Sequence, residues 1–218
     1  MRIQKIKIRN FRGFAEKEVE FYGNLSVIIG NNTAGKTTLL KALQVGLGAY
    51  LQSLPLLPGG RAFRCNFNKL DQYKPYDFDK RNYLFMPENP RIDITAECLT
   101  AIEQDGFLTE DKRIIEWARE FVKASYTTHT RYLAGQMMDY AENLSRYRRG
   151  AKTNALLPLV LSFDAQRTED AQAKKVARVD ERMTREEKAY KMALHDKVDF
   201  EGAKERLRRH DKNINDGP

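Results

Sequence analysis

The 218-residue chain contains only two cysteines, one tryptophan and three histidines. Cys65 and Cys98 are too few for a disulfide scaffold or a zinc cluster, so each is expected to pack as a small buried hydrophobe. His129, His195 and His210 have no carboxylate or cysteine at ligand spacing, and no histidine-based metal centre is expected. No apolar run reaches the ~18 residues that a membrane span needs. Met1–Phe14 alternates charged and apolar residues, unlike the apolar stretch of a signal peptide. The expectation is a soluble, cytoplasmic chain with no membrane contact.

Hydrophobic residues make up 41% of the chain and charged residues 31%, enough for a core beneath a densely charged surface. Thirty-eight basic against thirty acidic residues give a net charge of +8, which is compatible with nucleic-acid or nucleotide binding but selects neither. The excess is uneven. Residues 168–218 carry thirteen basic and twelve acidic residues, leaving a net +7 in residues 1–167. Basic clusters occur at Lys5/Lys7/Arg9/Arg12 and at Arg146/Arg148/Arg149/Lys152.

Ile3, Ile6 and Ile8 alternate with charge and predict a strand, with a second short one near Val19 and Phe21. Leu25–Ile29 is a compact apolar run ending at Gly30, as expected of a buried strand. A helix is expected from Thr37 to about Leu51, with Leu39, Leu40, Leu43 and Leu47 on one side. Residues 60–90 show no clean period and read as a long loop or insertion. Ile92, Ile94, Ala96 and Cys98 alternate as a strand. Ile114, Ile115, Ala118, Phe121 and Val122 fit one helical face, with Trp117 beside it as packing. Tyr132, Leu133, Gln136, Met137, Tyr140, Ala141 and Leu144 fit another. Leu156–Phe163 reads as strand-like. Beyond Thr168 about half the residues are charged, Thr184–Glu187 fits a capping box, and Asp199 fits a second cap.

One motif carries chemistry directly. Gly30-Asn31-Asn32-Thr33-Ala34-Gly35-Lys36-Thr37 matches G-x-x-x-x-G-K-S/T in full. The glycines let the backbone curl so that successive N–H groups converge on phosphate oxygens. A helix starting near Gly35 aims its positive end at the same anion. Lys36 can offset the charge of the β- and γ-phosphates, which makes it the candidate catalytic residue. Thr37 can place its hydroxyl on Mg²⁺, and Thr38 can reach the α-phosphate. An apolar run before the loop and an apolar-striped helix after it supply the expected setting. ATP with Mg²⁺ is favoured over GTP, because no N-K-x-D guanine-reading motif is present.

Together with the opening I-x-I-R-N-F-R-G-F, the stretch V-I-I-G-N-N-T-A-G-K-T-T-L-L-K-A-L resembles the N-terminus of ABC-type ATPases of the SMC/RecF/RecN class. That resemblance implies a P-loop NTPase lobe with an antiparallel β layer and a helical arm. It places Asn10–Phe14 beside the nucleotide and makes Arg12 a candidate phosphate or adenine contact. Leu157-Pro158-Leu159-Val160-Leu161-Ser162-Phe163-Asp164-Ala165-Gln166-Arg167 resembles a strand and loop of the anti-phage Septu ATPase subunits, departing at Ser162–Ala165. On that likeness Gln166 is a candidate Mg²⁺ contact. The family further implies a homodimer closing through its ATPase lobes, DNA as a partner and, in the defence branch, an HNH nuclease subunit.

Parts of an ABC ATPase are missing. Leu133-Ala134-Gly135-Gln136 resembles the L-S-G-G-Q signature but lacks the serine and one glycine. Val160–Asp164 resembles a Walker B strand but is followed by Ala165 where the general-base glutamate belongs. Either these make a miniature ABC ATPase, or the chain is an α/β N-terminal lobe, incomplete for hydrolysis without a C-terminal lobe. On the second reading residues 1–167 form the lobe, with an insertion near 55–90, and 168–218 form a charged helical extension. A P-loop small-molecule kinase and a non-catalytic nucleic-acid-binding module with structural ATP remain as alternatives.

Overall fold

A computed structural model describes residues 1–55, 65–84, 86–104, 107–122, 127, 130–149, 153–160, 162 and 190. The chain divides into two compact units, Met1–Leu159 and Val160–Pro218. The described elements belong to the first: β1 (Arg2–Phe11), β2 (Phe14–Glu20), α1 (Lys36–Ser53), β3 (Tyr76–Asp77), β4 (Asn82–Tyr83), β5 (Arg91–Gln104), β6 (Phe107–Glu120), α2 (Arg131–Arg149) and β7 (Thr153–Ala155). Gln166, the expected caps at Thr184 and Asp199, and all three histidines lie outside the described residues. Among the described residues no helix is long and apolar enough to cross a membrane.

The architecture is mixed α/β. An antiparallel sheet runs β2-β1-β5-β6, with β7 added to the far end of β5. Register explains its two faces. Ile6 pairs with Ile94, Ile8 with Ile92, Ile94 with Trp117 and Ile92 with Arg119, so these side chains share one face. All are buried, and α1 and α2 pack on that side. The opposite face is an ion-pair lattice: Lys5–Glu18 at 2.6 Å, Lys7–Glu16 at 2.8 Å and Arg9–Asp93 at 2.9 Å. Such exposed pairs stabilise by only ~0.2–1 kcal/mol each, so the apolar face holds the fold. Burial works against the charge of Asp93, but hydrogen bonds from Arg91 and Arg9 hold its carboxyl below the usual carboxylate range. Cys65 and Cys98 are free and buried, and burial pushes the Cys98 thiol up to about 11.

Four expectations are corrected. Residues 114–120 are not helical. They form β6, a strand whose Ile115, Trp117 and Arg119 face the core while Ile114 is 54% exposed. A charged residue at a core position hid the two-residue period, and Ala118, buried on the other face, mimicked a helical one. Leu25–Ile29 pairs with none of the described strands, and Leu25, Val27 and Ile29 are 82%, 73% and 88% exposed. Of the expected strand Leu156–Phe163, Leu156–Val160 belongs to no assigned strand among the described residues, although the Leu156 N–H donates to the Ala101 carbonyl at 3.2 Å; the short strand falls on Thr153–Ala155, and Leu161 and Phe163 lie outside the described residues. Tyr132 lies outside the buried stripe of α2, at 93% exposed.

The contact face of α1 also differs from the leucine stripe. Leu40 is exposed, while Leu39, Ala42, Val45, Gly46, Ala49 and Tyr50 are buried. Small residues bring the helix close to the sheet. A side chain at Gly46 would strike Ile94, and one at Gly48 would strike the Arg119 guanidinium and lie 2.7 Å from the Cys65 carbonyl oxygen. Two donors from β6 use this close approach. Trp117 Nε1 donates to the Gly46 carbonyl at 2.9 Å, and Arg119 Nη1 donates to the carbonyls of Val45 at 2.7 Å and Cys65 at 2.6 Å. Arg119 Nη2 adds a bond to Asn66 Oδ1 at 2.9 Å. A fully buried guanidinium is thereby satisfied largely by carbonyl oxygens.

Gly48→Ala therefore tests local propensity against packing. Alanine gains ~1 kcal/mol in an open helix interior, whereas overpacking costs ~1–3 kcal/mol. Urea denaturation is expected to show a net loss of stability, with the midpoint shifted down.

Candidate functional site

The turn Gly30–Lys36 leads into α1, whose first residue is Lys36. Its curl is set by three features. Gly30 approaches Ala34 so closely that a Cβ at Gly30 would lie 3.2 Å from the Ala34 Cβ. The Ala34 N–H donates to the Asn31 carbonyl at 3.2 Å. Thr33 and Gly35 both have positive φ, 71° and 87°, a conformation natural to glycine and strained for threonine. The Thr33 hydroxyl donates to the neighbouring Asn32 carbonyl, which offsets part of that cost.

Electrostatics at the helix end are one-sided. Gly35 caps α1 without a side-chain hydrogen bond, and no acidic residue occupies the first turn. The N–H groups of Lys36, Thr37 and Thr38 are among the orphan donors of a helix start. The Lys36 ammonium folds over the loop and donates to the carbonyls of Gly30 and Asn31, both at 2.7 Å. Two of its three N–H bonds are spent this way. The cradle thus presents backbone donors, a helix dipole and one ammonium group, with Thr37 exposed at its rim. Among the described residues no group of three or more His, Cys, Asp or Glu side chains converges as a metal site. A cation held chiefly by phosphate oxygens and water needs few protein ligands, and the Thr37 hydroxyl suits that role.

A second wall comes from the β1–β2 turn. The Phe14 ring lies against Gly35, where an added Cβ would sit 2.8 Å from its Cε1. Asn10–Arg12 is latched onto the 68–88 region. The Asn10 side chain donates to the Glu88 carbonyl at 3.0 Å, and the Asn10 carbonyl accepts from the Tyr73 N–H at 2.9 Å. Phe11 bridges to Gln72 and packs edge-on against Phe67, with ring centroids 5.7 Å apart. Arg12 pairs with buried Asp71, Nε to Oδ1 at 2.6 Å, and its guanidinium lies 5.6 Å from the Phe11 ring centroid. Asn10 and Arg12 hold φ of 52° and 50°, so the turn is strained and heavily tied down.

The Gly30–Lys36 turn and the N-F-R-G-F turn are therefore neighbours, meeting where Phe14 lies against Gly35. Asp71 was not singled out. Asp71 sits in a segment without periodicity, and nothing in sequence links it to a partner 59 residues away. The signature-like Leu133–Gln136 lies at the start of α2 across a non-helical Ala134, and Gln136 accepts the Glu116 N–H at 3.0 Å.

Comparison with known proteins adds the relatives. The DNA double-strand break repair Rad50 ATPases of Methanopyrus kandleri and Pyrococcus abyssi are 42% identical over 45 residues and 45% over 47. These matches cover 21% and 22% of this chain and 5% of each relative. The DNA replication and repair protein RecF of Leptospira biflexa is 26% identical over 177 residues, covering 71% of this chain and 47% of that protein. The matches thus span less than half the length of these curated relatives. A solved structure from work on ATP-driven dimerization and DNA-stimulated activation of SMC ATPases aligns with a TM-score of 0.39 at 13% identity. It covers 64% of this chain and 76% of that one. The AAA domain profile matches residues 5–216, nearly the whole sequence, and the chain belongs to the AAA domain family.

Proposed function

We propose that the chain is the nucleotide-binding lobe of a DNA-associated ATPase of the SMC/RecF class, taking Mg-ATP at Gly30–Thr38. The observation that carries this reading is the uncapped, carboxylate-free start of α1, with the Lys36 ammonium folded over the loop. A triphosphate can replace the loop carbonyls as partner of that ammonium while the turn amides of residues 31–38 close on its oxygens. Mg²⁺, when bound with the nucleotide, offsets charge that develops on the transferred phosphoryl group. The association with DNA repair comes from the Rad50 and RecF relatives. The HNH nuclease partner and a defence role rest on the Leu157–Arg167 likeness alone.

The apolar, exposed faces of Leu25, Val27 and Ile29 support a lobe completed by further protein. Large apolar side chains this open, immediately before a phosphate-binding turn, call for cover. On this reading a C-terminal lobe supplies the cover and the water-activating carboxylate, and closure of two lobes in a homodimer completes the site.

Two outcomes follow. Lys36→Ala should reduce Mg-ATP affinity below detection by isothermal titration calorimetry, and affinity equal to the parent chain contradicts the site. The chain by itself should release phosphate below about 0.01 per second, against ~10 per second for a typical enzyme. Turnover in the ordinary range contradicts the need for a second lobe.

A further inference from the structure

The β3–β4 hairpin gathers three aromatic rings. Tyr76 and Tyr83 are cross-strand partners with ring centroids 5.2 Å apart, and Phe78 packs edge-on against Tyr76 at 5.0 Å. Edge-to-face packing of this kind is favourable, yet it leaves the outer two rings in water. Phe78 is 83% exposed, Tyr83 64% and Tyr76 42%. The three belong neither to the sheet core nor to the turn before α1.

Polar groups of the hairpin order its tip. Asp77 Oδ1 accepts the N–H groups of Asp79 at 3.0 Å and Lys80 at 3.1 Å, an Asx turn that shapes the loop. Arg81 closes the loop at φ 48°. Asn82 Oδ1 accepts the Tyr83 N–H at 2.8 Å, and the Pro75 carbonyl accepts the Leu84 N–H at 2.8 Å. At the root, Gln72 Nε2 donates to the Met86 carbonyl at 2.8 Å, and the Tyr73 N–H donates to the Asn10 carbonyl at 2.9 Å. A hairpin this short is marginal by itself, so these bonds keep the rings in place.

The rings are interleaved with charge. Residues 74–84 carry Lys74, Lys80 and Arg81 against Asp77 and Asp79. Asp77 is spent on the loop amides and on Lys80 Nζ at 3.8 Å, and its side chain is 18% exposed. Lys74 and Arg81 are exposed and form no ion pair among the described residues. Asp79 is the one exposed carboxylate in the segment, so the surface beside the rings is cationic on balance. A dry protein interface excludes charge from its centre, and here all three loop residues after Phe78 are charged. A single nucleic-acid strand takes both parts at once, since its bases stack on rings and its phosphates meet cations. The net +7 of residues 1–167 acts in the same direction.

We infer that the β3–β4 hairpin is a stacking platform for single-stranded nucleic acid. Phe78 and Tyr83 take the faces of unpaired bases, and the loop cations Lys80 and Arg81 meet the adjoining phosphates. This rests on the DNA association proposed above and gives it a contact, and it needs no nucleotide at Gly30–Thr38. Recognition of this kind tolerates any sequence, because every base has a face. A duplex keeps its base faces inside the stack, so the platform selects unpaired strands.

The experiment follows the fluorescence anisotropy of a labelled oligothymidylate of about 20 nucleotides, long enough for one site, as the full chain is added without ATP. An abasic strand and a duplex of the same length run beside it. The variants are Phe78→Ala, Phe78→Leu, Phe78→Trp and Arg81→Gln, each with a thermal melt. Phe78→Ala is expected to weaken oligothymidylate binding about tenfold, the size of one lost base–aromatic stack, and to leave the abasic strand unaffected. Phe78→Trp should keep the parental affinity. Phe78→Leu retains apolar bulk without a ring, and it carries the same test if alanine lowers the melt. Arg81→Gln should weaken both single strands alike and reduce the slope of log affinity against log salt by about 0.7. Equal affinity of the parent, Phe78→Ala and Phe78→Leu for oligothymidylate overturns the platform and leaves the DNA association standing. A loss as large on the abasic strand overturns it too, since the ring would then not meet bases. No affinity of the parent for any of the three probes overturns both readings and leaves the hairpin to a protein partner.

Discussion

Two donors on β6 end on consecutive carbonyls of α1. Trp117 bonds Gly46 and Arg119 bonds Val45, and neither contact is possible unless the helix lies close to the sheet. Gly46 and Gly48 permit that approach by leaving the space that a Cβ would fill. The helix axis is therefore fixed from its middle. Its N-terminal end, with its partial positive charge, is held in place rather than drifting with the loop it terminates. The anion binding proposed for the turn before it depends on that placement.

A second set of constraints meets the first at Gly35. The β1–β2 turn is tied to the 68–88 region through Asn10, Phe11 and Arg12, and it rests Phe14 on the glycine that starts α1. Strain at Asn10, Arg12 and Thr33 is concentrated around this junction. Backbone strain persists only where surrounding contacts over-determine it, and at Arg12 these include two hydrogen bonds to buried Asp71. The framework is a sheet, a helix and a latched turn, and the proposed chemistry at their junction is left to one ammonium group and a few loop amides.

How far the sequence discloses this depends on the range of each interaction. The Gly30–Thr37 turn stood out as a candidate site because its pattern is local: two glycines, a lysine and a threonine at fixed spacing. β1 and β5 were legible because one face is apolar and the other charged. β6 was not, because its core face includes Arg119, whose partners are carbonyls that no composition reveals. The α1 contact face was misread for a related reason, since glycines and alanines mark close approach more faithfully than leucines do. Leu25–Ile29 announced a need for cover, but an apolar run does not say whether the covering element is at hand. The Arg12–Asp71 pair was out of reach, because it joins a motif to a segment with no pattern.

The central claim is that the amides of residues 31–38 and the Lys36 ammonium together bind a nucleotide's phosphates. A ¹H–¹⁵N correlation spectrum of the chain, titrated with Mg-ATP, reads those amides one by one. The account predicts the largest shifts at Gly35, Lys36, Thr37 and Thr38, with smaller ones at Phe14. Saturable binding that leaves these resonances in place and moves others instead would contradict it.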